Sequence, residues 1–293
     1  MEALQGIIVG NQPGRLTVVA TPIGNMGDLS ERARAALAAA DLIAAEDTRR
    51  TQGLLQHLGV GKPLLSLHAH NETRRLTELL AKLAQGAHVV LVSDAGTPLL
   101  SDPGFELVRA AVAAGATVSV VPGPSAITAA LALAALPVER FCFEGFLPAA
   151  ARERRARLGA LATETRTMVF FEAPHRIAES LVDLSTVLGG DRSTVIAREL
   201  TKLHETVYRG TLAELCQLAQ DEPNLQRGEI TLVVQGAPAL AEAADLNLMR
   251  RALELLVQEL PPAKAAAIAA QLSGARRAQA YELALQLRGG AGE

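Results

Sequence analysis

The chain alternates between two textures. Short, almost wholly apolar runs at residues 16–20, 42–45, 64–67, 89–92 and 118–121 are rich in Val, Leu, Ile and Ala, the pattern of strands covered on both faces. Between them stand longer stretches whose apolar residues recur at helical spacing. Asp28 with Glu31 three residues on makes a capping signature ahead of an Ala-rich run to residue 40. Gly59 closes a helix over 48–58. Asn71 is placed to cap a helix reaching about residue 83, and Asp102 to cap another that Pro103 opens. Alternation of this kind predicts an α/β fold, a parallel sheet with helices on both faces.

The sequence Pro122-Gly123-Pro124 interrupts the rhythm. Ser125 then caps a helix to about residue 135. Strands follow near 141–143, 168–171, 194–197, 205–208 and 230–234, with helices near 149–161 and 174–187. The run at 205–208 follows its predecessor too closely for a crossover, so the second sheet is expected to be mixed. After Gly236 an Ala/Pro/Glu stretch reads as a linker. Three short helical patterns at 246–260, 263–272 and 276–287 follow, the last two separated by Ser273-Gly274 in a helix-turn-helix layout. The expected partition is an N-terminal extension (1–13), a first α/β domain (14–122), a second α/β domain (123–236), a linker (237–244) and a helical domain (245–288), with a frayed tail.

Composition narrows the class. Of 293 residues, 49% are hydrophobic and 20% charged, enough apolar mass for a sizeable core, but only 3% are aromatic, so Ala, Leu and Val must carry it. A net charge of -3 lacks the overall basic signature of a nucleic-acid-binding protein, so any such contact has to be local. The basic clusters are Arg152, Arg154, Arg155 and Arg157 on one predicted helix, and Arg276-Arg277 opening the last. A solvated helical face is the usual account of such runs, and docking of phosphates the alternative. Cys142 and Cys216 have no metal-type spacing and read as reduced intracellular thiols. Residues 1–10 lack the features of a secretory signal, and the longest apolar run, near 127–136, is too short for a bilayer. A cytoplasmic protein is expected, with no membrane partner.

Three Gly- and Pro-bearing loops end predicted strands of the first domain: Thr21-Pro22-Ile23-Gly24-Asn25, Ser93-Asp94-Ala95-Gly96-Thr97-Pro98 and Pro122-Gly123-Pro124-Ser125-Ala126. In an open parallel sheet, ligands bind at the carboxyl ends of the strands, and small residues let backbone amides approach them. None of the loops is the G-x-G-x-x-G fingerprint and there is no Walker A sequence, which disfavours a diphosphate-bearing cofactor. An adenine nucleoside with an amino-acid tail suits such loops better. Taken singly, each is also explained as a tight strand-to-helix turn.

Charge occupies further strand ends. In Glu46-Asp47-Thr48-Arg49, Asp47 is a good helix cap. A cation in the first helical turn opposes the macrodipole, so Arg49 is a candidate for holding an anionic substrate. His68-Ala69-His70-Asn71-Glu72 offers two histidines but no third ligand of suitable spacing, so no metal is expected; a general base or a nucleic-acid contact is the alternative. Phe171-Glu172-Ala173-Pro174-His175-Arg176 and Ala197-Arg198-Glu199-Leu200-Thr201-Lys202 place charge on the same side, as plain solvated loops also would. No Ser-His-Asp order, H-E-x-x-H or kinase signature occurs.

In order along the chain, GRLTVVATPIGN (14–25), EDTR (46–49), HAHNE (68–72), SDAGTPLLSDPG (93–104), PGPSA (122–126), FEAPHR (171–176), ARELTK (197–202) and GEITLVV (228–234) resemble the ribosomal RNA small subunit methyltransferase I (RsmI) family. That family is a branch of the tetrapyrrole methylases, the class III enzymes that use S-adenosylmethionine. The resemblance implies two α/β domains with the methyl donor in the cleft between them, a small C-terminal three-helix domain like a helix-turn-helix, and a homodimer. It implies 2′-O-methylation of a cytidine in the decoding region of small-subunit rRNA.

On matching positions the implied donor site is Pro22, Ile23, Asp94, Ala95, Gly96, Thr97, Ser125 and Ala126, closed from the second domain by Phe171, Ala197 and Ile230. Glu46, Asp47, Arg49, His68 and Lys202 are the implied catalytic candidates. Asn71, Glu72, His175, Arg176, Arg198 and Glu199 are the implied contacts to the ribose and its phosphates. The chain departs from the family at Leu203 and His204, where a basic residue and an aromatic are usual, and at Leu67, where a Tyr is common.

Methyl transfer from a sulfonium demands alignment above all, because the leaving group is already good. A ribose hydroxyl needs a base within about 2.6 to 3.2 Å and a cation beside the developing alkoxide. His68 or Glu46 is expected to take the proton, with Arg49 and Lys202 on adjacent phosphates. Two other readings compete. A methylase of a small molecule such as a tetrapyrrole would share the donor site, need a roomy apolar acceptor pocket and leave the terminal helices idle. A ligand-sensing nucleic-acid-binding regulator would need base-reading residues along the last helix, which offers Arg276, Arg277 and Gln279 before turning apolar.

Overall fold

A computed structural model describes residues 14–238 and 240–289, with side chains for 14–238 and 246–288. The expected extension (1–13) and the end of the tail lie outside the described residues. Strands β1 (Arg15–Val19), β2 (Leu42–Ala45), β3 (Leu64–Ser66), β4 (His88–Val92) and β5 (Thr117–Val121) form one sheet in the order β3-β2-β4-β1-β5, every pair parallel. Successive side chains of β4 leave on opposite faces. Val89 and Leu91 join Leu79 and Leu83 of α3 (Glu72–Ala84) and Leu107 of α4 (Phe105–Ala113). Val90 and Val92 join Leu37 of α1 (Glu31–Ala39) and Leu55 of α2 (Thr48–Leu58). A strand serving two cores must be apolar throughout, which is why its run carries no polar alternation.

The second sheet contains β6 (Phe141–Phe146), β7 (Thr167–Glu172), β8 (Ser193–Arg198), β9 (Thr206–Thr211) and β10 (Ile230–Val234), in the order β6-β7-β10-β8-β9. Only β6 and β7 run parallel; the other pairs are antiparallel, so the sheet is mixed as expected. Helices α6 (Ala151–Leu161), α7 (Ile177–Leu188) and α8 (Leu212–Asp221) cover one face. Helix α5 (Ala126–Leu133), the first element after the Pro-Gly-Pro break, covers the other. Ile23, from the loop after β1, packs into this last core. The two sheets are thus joined by shared apolar burial beside the Thr21–Asn25 loop.

Several caps differ from expectation. Asp28 lies in a 3-10 turn, Met26–Asp28, and Ser30 caps α1 by accepting from the Ala33 amide at 3.1 Å. Asn71 precedes α3 but turns back: its Oδ1 accepts from the His68 amide, and its Nδ2 donates to the Ser66 carbonyl. Helix α4 starts two residues after Pro103, behind Gly104 at φ 119°, which leaves Asp102 in the loop. Ser125 precedes α5 without a side-chain cap bond. Helix α8, which the sequence reading passed over, is held by a Thr211/Glu214 capping box.

Helices α9 (Leu240–Glu259), α10 (Pro262–Ser273) and α11 (Arg277–Gly289) end the described chain. Helix α9 begins at Leu240, inside the stretch expected as linker, because Leu, Ala and Glu are strong helix formers. The three helices pack on one another through Met249, Leu253 and a row of buried alanines that includes Ala265, Ala269, Ala280 and Ala284. Gly274 (φ 74°) closes α10.

Candidate active site

The carboxyl ends of β1, β2, β4 and β5 face the second sheet, and between them lies a cavity of about 460 Å³. That volume suits a nucleoside-sized ligand. Of the eleven residues expected at the donor, ten line it, from Ile23 and the Asp94–Thr97 loop through Ser125 and Ala126 to Phe171, Ala197 and Ile230; Pro22 stands outside the lining. The second sheet adds the Glu172-Ala173-Pro174 turn, Leu200 and Gly228–Thr231.

The three motif loops are bonded to each other. Thr21 and Gly96 exchange backbone bonds of 2.9 and 3.0 Å, and Thr97 Oγ1 donates to the Pro124 carbonyl at 3.1 Å. Gly96 has φ 82°, and a Cβ there would meet Ile23 Cγ2 at 3.3 Å, so glycine leaves its backbone open to a ligand. Strain gathers at the cavity. Of five non-glycine residues with positive φ among the described residues, Leu99, Ser101, Glu199 and Thr201 belong to two of the loops around it.

The interior is acidic. Glu46, Asp94 and Asp102 all line it. Asp94 Oδ1 accepts from the Asp47 amide at 2.9 Å, interlocking the loops after β2 and β4. Burial, then the charge of Asp94, raises the Glu46 carboxyl above its ordinary value. Burial pushes Asp102 up to about 6, opposed by the Ser93 hydroxyl and helped by Glu46 and Asp94. One cation lines the cavity, Arg50, whose Nε stands 3.5 Å from Asp94 Oδ2. A ligand combining a cationic sulfur, an ammonium and a flat base fits these acids, the open Gly96 backbone and the walls of Ile23, Phe146 and Phe171.

The catalytic candidates do not all gather there. Glu46 lines the cavity; Asp47, Arg49, His68 and Lys202 do not. Asp47 caps α2, and Arg49 lies against it through two side-chain bonds, with 89% of its side chain exposed. That pairing holds the Asp47 carboxyl at about 2. His68 follows β3, the strand farthest from β5, by two residues, and its Nδ1 is buried without a hydrogen-bond partner. Lys202 Nζ bridges Glu199 at 2.7 Å and Glu229 at 3.0 Å. Its stem lies so close to Gly24 that a Cβ there would sit 2.4 Å from Lys202 Cγ. The ARELTK and PIGN motifs therefore touch.

None of the six expected substrate contacts lines the cavity. Asn71 binds backbone, as above. Glu72 Oε1 accepts from the Glu106 and Leu107 amides at 3.0 and 3.2 Å, capping α4, whose own N-cap is a glycine. Arg176 bonds to the buried Glu172 and to the Leu147 carbonyl. Arg198 is buried and donates to the Arg227 and His204 carbonyls. Glu199 receives the Glu229 amide and Lys202; His175 is exposed. Of the basic cluster on α6, Arg154 is fully buried on Asp183, Arg155 shares Asp183, and Arg157 pairs with Glu144. Arg50, Ser101 and Asp102 escaped the sequence reading as site residues. Arg50 differs from Arg49 by one helical step of about 100°, which motif matching does not resolve. Among the described residues no cluster of His, Cys, Asp or Glu could hold a metal, and no helix is long and apolar enough to cross a membrane.

Comparison with known proteins agrees with this architecture. The family model for tetrapyrrole (corrin/porphyrin) methylases matches residues 15–216, and that for the RsmI C-terminal HTH domain matches 241–288. A protein of Xylella fastidiosa strain Temecula1 named ribosomal RNA small subunit methyltransferase I is 55% identical over 270 residues, 92% of this chain and 98% of its own. Proteins of the same name from Pseudomonas aeruginosa and Escherichia coli O157:H7 are 50% and 47% identical, covering 94% and 95% of this chain and 98% and 97% of theirs. The crystal structure of cobalt precorrin-4 methyltransferase CbiF superposes with a TM-score of 0.58 at 17% identity, over 78% of this chain and 98% of that one. The methyltransferase CobJ gives 0.55 at 22%, over 76% and 95%. The chain belongs to the tetrapyrrole methylase family, in its ribosomal RNA small subunit methyltransferase I branch.

Proposed function

We propose that this protein methylates a ribose 2′-hydroxyl of small-subunit (16S) rRNA, a cytidine in the decoding region, with S-adenosylmethionine as methyl donor. The observation that carries the reading is the acid-lined cavity at which loops of both sheets meet, in a chain half identical to proteins named for small-subunit rRNA methylation. When bound, the donor supplies a methyl on a positively charged sulfur. Asp94 and Asp102 supply the opposite charge, the backbone of Asp94–Thr97 and Ser125-Ala126 the polar contacts, and Ile23, Phe171, Ala197 and Ile230 the apolar walls. Those groups fix the donor against a sugar hydroxyl, which is where most of the acceleration arises.

Glu46 is the base in this reading: it lines the cavity and its carboxyl is raised towards neutrality. His68 stands at a strand end outside the lining and is assigned to the approaching RNA. Arg50 takes the cationic role beside the acceptor for which Arg49 was a candidate; Arg49, with Asp47, forms the outer rim. Lys202 and Glu199 brace the second-sheet loop, and His175 faces the RNA side. The units 14–122, 123–236 and 245–288 divide the labour: two build the cavity and the third adds no residue to its lining. A homodimer is part of the reading, because the edge strands and α4 carry Phe105, Val112, Val120 and Phe141 exposed. The cytoplasm is the compartment that an rRNA substrate implies.

The test is methyl transfer to small ribosomal subunits from a strain lacking the modification, beside a porphyrinoid acceptor, followed by mapping of 2′-O-methyl positions. One new 2′-O-methyl cytidine is expected. Transfer to the porphyrinoid alone would replace this reading with that of a small-molecule methylase.

A further inference from the structure

The helical domain has a charge of its own. Helices α9–α11 (residues 240–289) carry six cations (Arg250, Arg251, Lys264, Arg276, Arg277 and Arg288) against five acids (Glu242, Asp245, Glu254, Glu259 and Glu282), a net of +1 in a chain whose net is -3, which leaves -4 for the rest. In the α/β part, Arg49, Arg50, Arg154, Arg155, Arg157 and Arg176 each face a carboxylate, whereas others, such as the exposed Arg74 and Arg152, do not among the described residues. Among the described residues no carboxylate pairs with any of the six cations of the helical domain. Cations without acidic partners are the ones a polyanion engages.

Between the starts of α10 and α11 lies a shallow groove of about 380 Å³ lined by Ala263, Arg277, Ala278 and Tyr281. The alanines are too small to fill it. Arg277 and Tyr281 stand one turn apart on one face of α11. Tyr281 is 42% exposed in a chain with only eight aromatic residues, and Lys264, beside Ala263, is exposed too. Both helices present their N-terminal turns here, the positive ends of their dipoles. A phenol ring beside a guanidinium, floored by methyl groups, fits an unpaired base with its phosphate. Duplex docking is poorly served, because the exposed face of α11 continues into Glu282 and Leu285.

We propose that this groove is a second RNA contact: it holds a single-stranded or looped segment of small-subunit rRNA, a base on Tyr281 and phosphate on Arg277 and its neighbours, while the ribose enters the acidic cavity. The inference rests on the proposed rRNA substrate. It answers a need of that reading, since the cavity repels phosphate and offers a single cation in its lining. The groove supplies affinity, not chemistry, so its loss raises KM and leaves the turnover of bound subunits in place.

The test uses the full chain and small subunits lacking the modification. In the Arg276→Ala/Arg277→Ala variant we expect KM for subunits to rise about tenfold, and the slope of log KM against log salt to fall by about 2. The dissociation constant for S-adenosylmethionine should stay at the wild-type value. Tyr281→Ala should raise KM by a similar factor, and Tyr281→Phe, which keeps the ring, should restore it. Unchanged KM and salt slope in a double variant that folds and binds the donor would overturn the inference alone. Binding of duplex DNA as tight as that of rRNA would also overturn it. A wild-type protein that binds the donor yet methylates no subunit would remove the proposed function and, with it, this inference.

Discussion

Burial raises the Asp102 carboxyl to about 6 in a partly apolar cavity shared with Glu46 and Asp94. The folded protein holds the Asp102 proton more tightly than the unfolded chain does. Its contribution therefore favours the fold below pH 4 or so and is lost as pH rises through about 6. Asp102→Asn should melt at the wild-type temperature near pH 4 and be more stable at pH 8 by roughly 2 kcal/mol. The same substitution should weaken donor binding, and wild-type affinity should fall as pH drops below about 6. Calorimetry across pH 4 to 8 checks both, and a flat profile would remove Asp102 from the donor site. Arg50→Ala should raise KM for small subunits several-fold, whereas Arg49→Ala, whose guanidinium is exposed and paired with Asp47, should have a smaller effect. Steady-state assays of the two variants decide between them. The sequence pointed to Arg49 because a cation in the first helical turn opposes the macrodipole. Only the rotation of α2 decides which of two adjacent arginines faces the cavity.

At the scale of elements, the strands were legible because burial on two faces demands unbroken apolar runs, and each of the ten was placed to within a few residues. Caps were legible in part: Asp47 and Gly59 bound α2 as read, but a cap supplied from a distant segment leaves no local signal. Glu72 reads as a substrate contact within HAHNE, yet it caps α4 across the fold, thirty-four residues away. Glu72→Ala should cost about 1 to 2 kcal/mol of stability, with little change in donor affinity. A melting curve and a donor titration on the same sample separate this from a role in substrate binding. Arg154 tells the same story: it belongs to a basic cluster in sequence, but its guanidinium is buried on Asp183. Arg154→Ala would leave that buried acid with the half-exposed Arg155 as its remaining partner, and a loss of about 3 kcal/mol is expected in denaturant unfolding.

At the scale of the molecule, two sheets meet so that loops distant in sequence become one cavity, and it is this meeting that the motifs report. Gly-rich loops could be assigned to a crevice from their positions after strands alone, whereas the charged strand ends divided between cavity, brace and cap in a way that no spacing encodes. The most direct test of the account is a calorimetric titration of S-adenosylmethionine into the wild-type protein and Gly96→Ala. One site per chain with micromolar affinity is predicted for the wild type. A loss of at least about tenfold is expected for the variant, whose added methyl would crowd Ile23 at a backbone of φ 82°. Absence of binding by folded wild-type protein, or equal binding by the variant, would contradict the account.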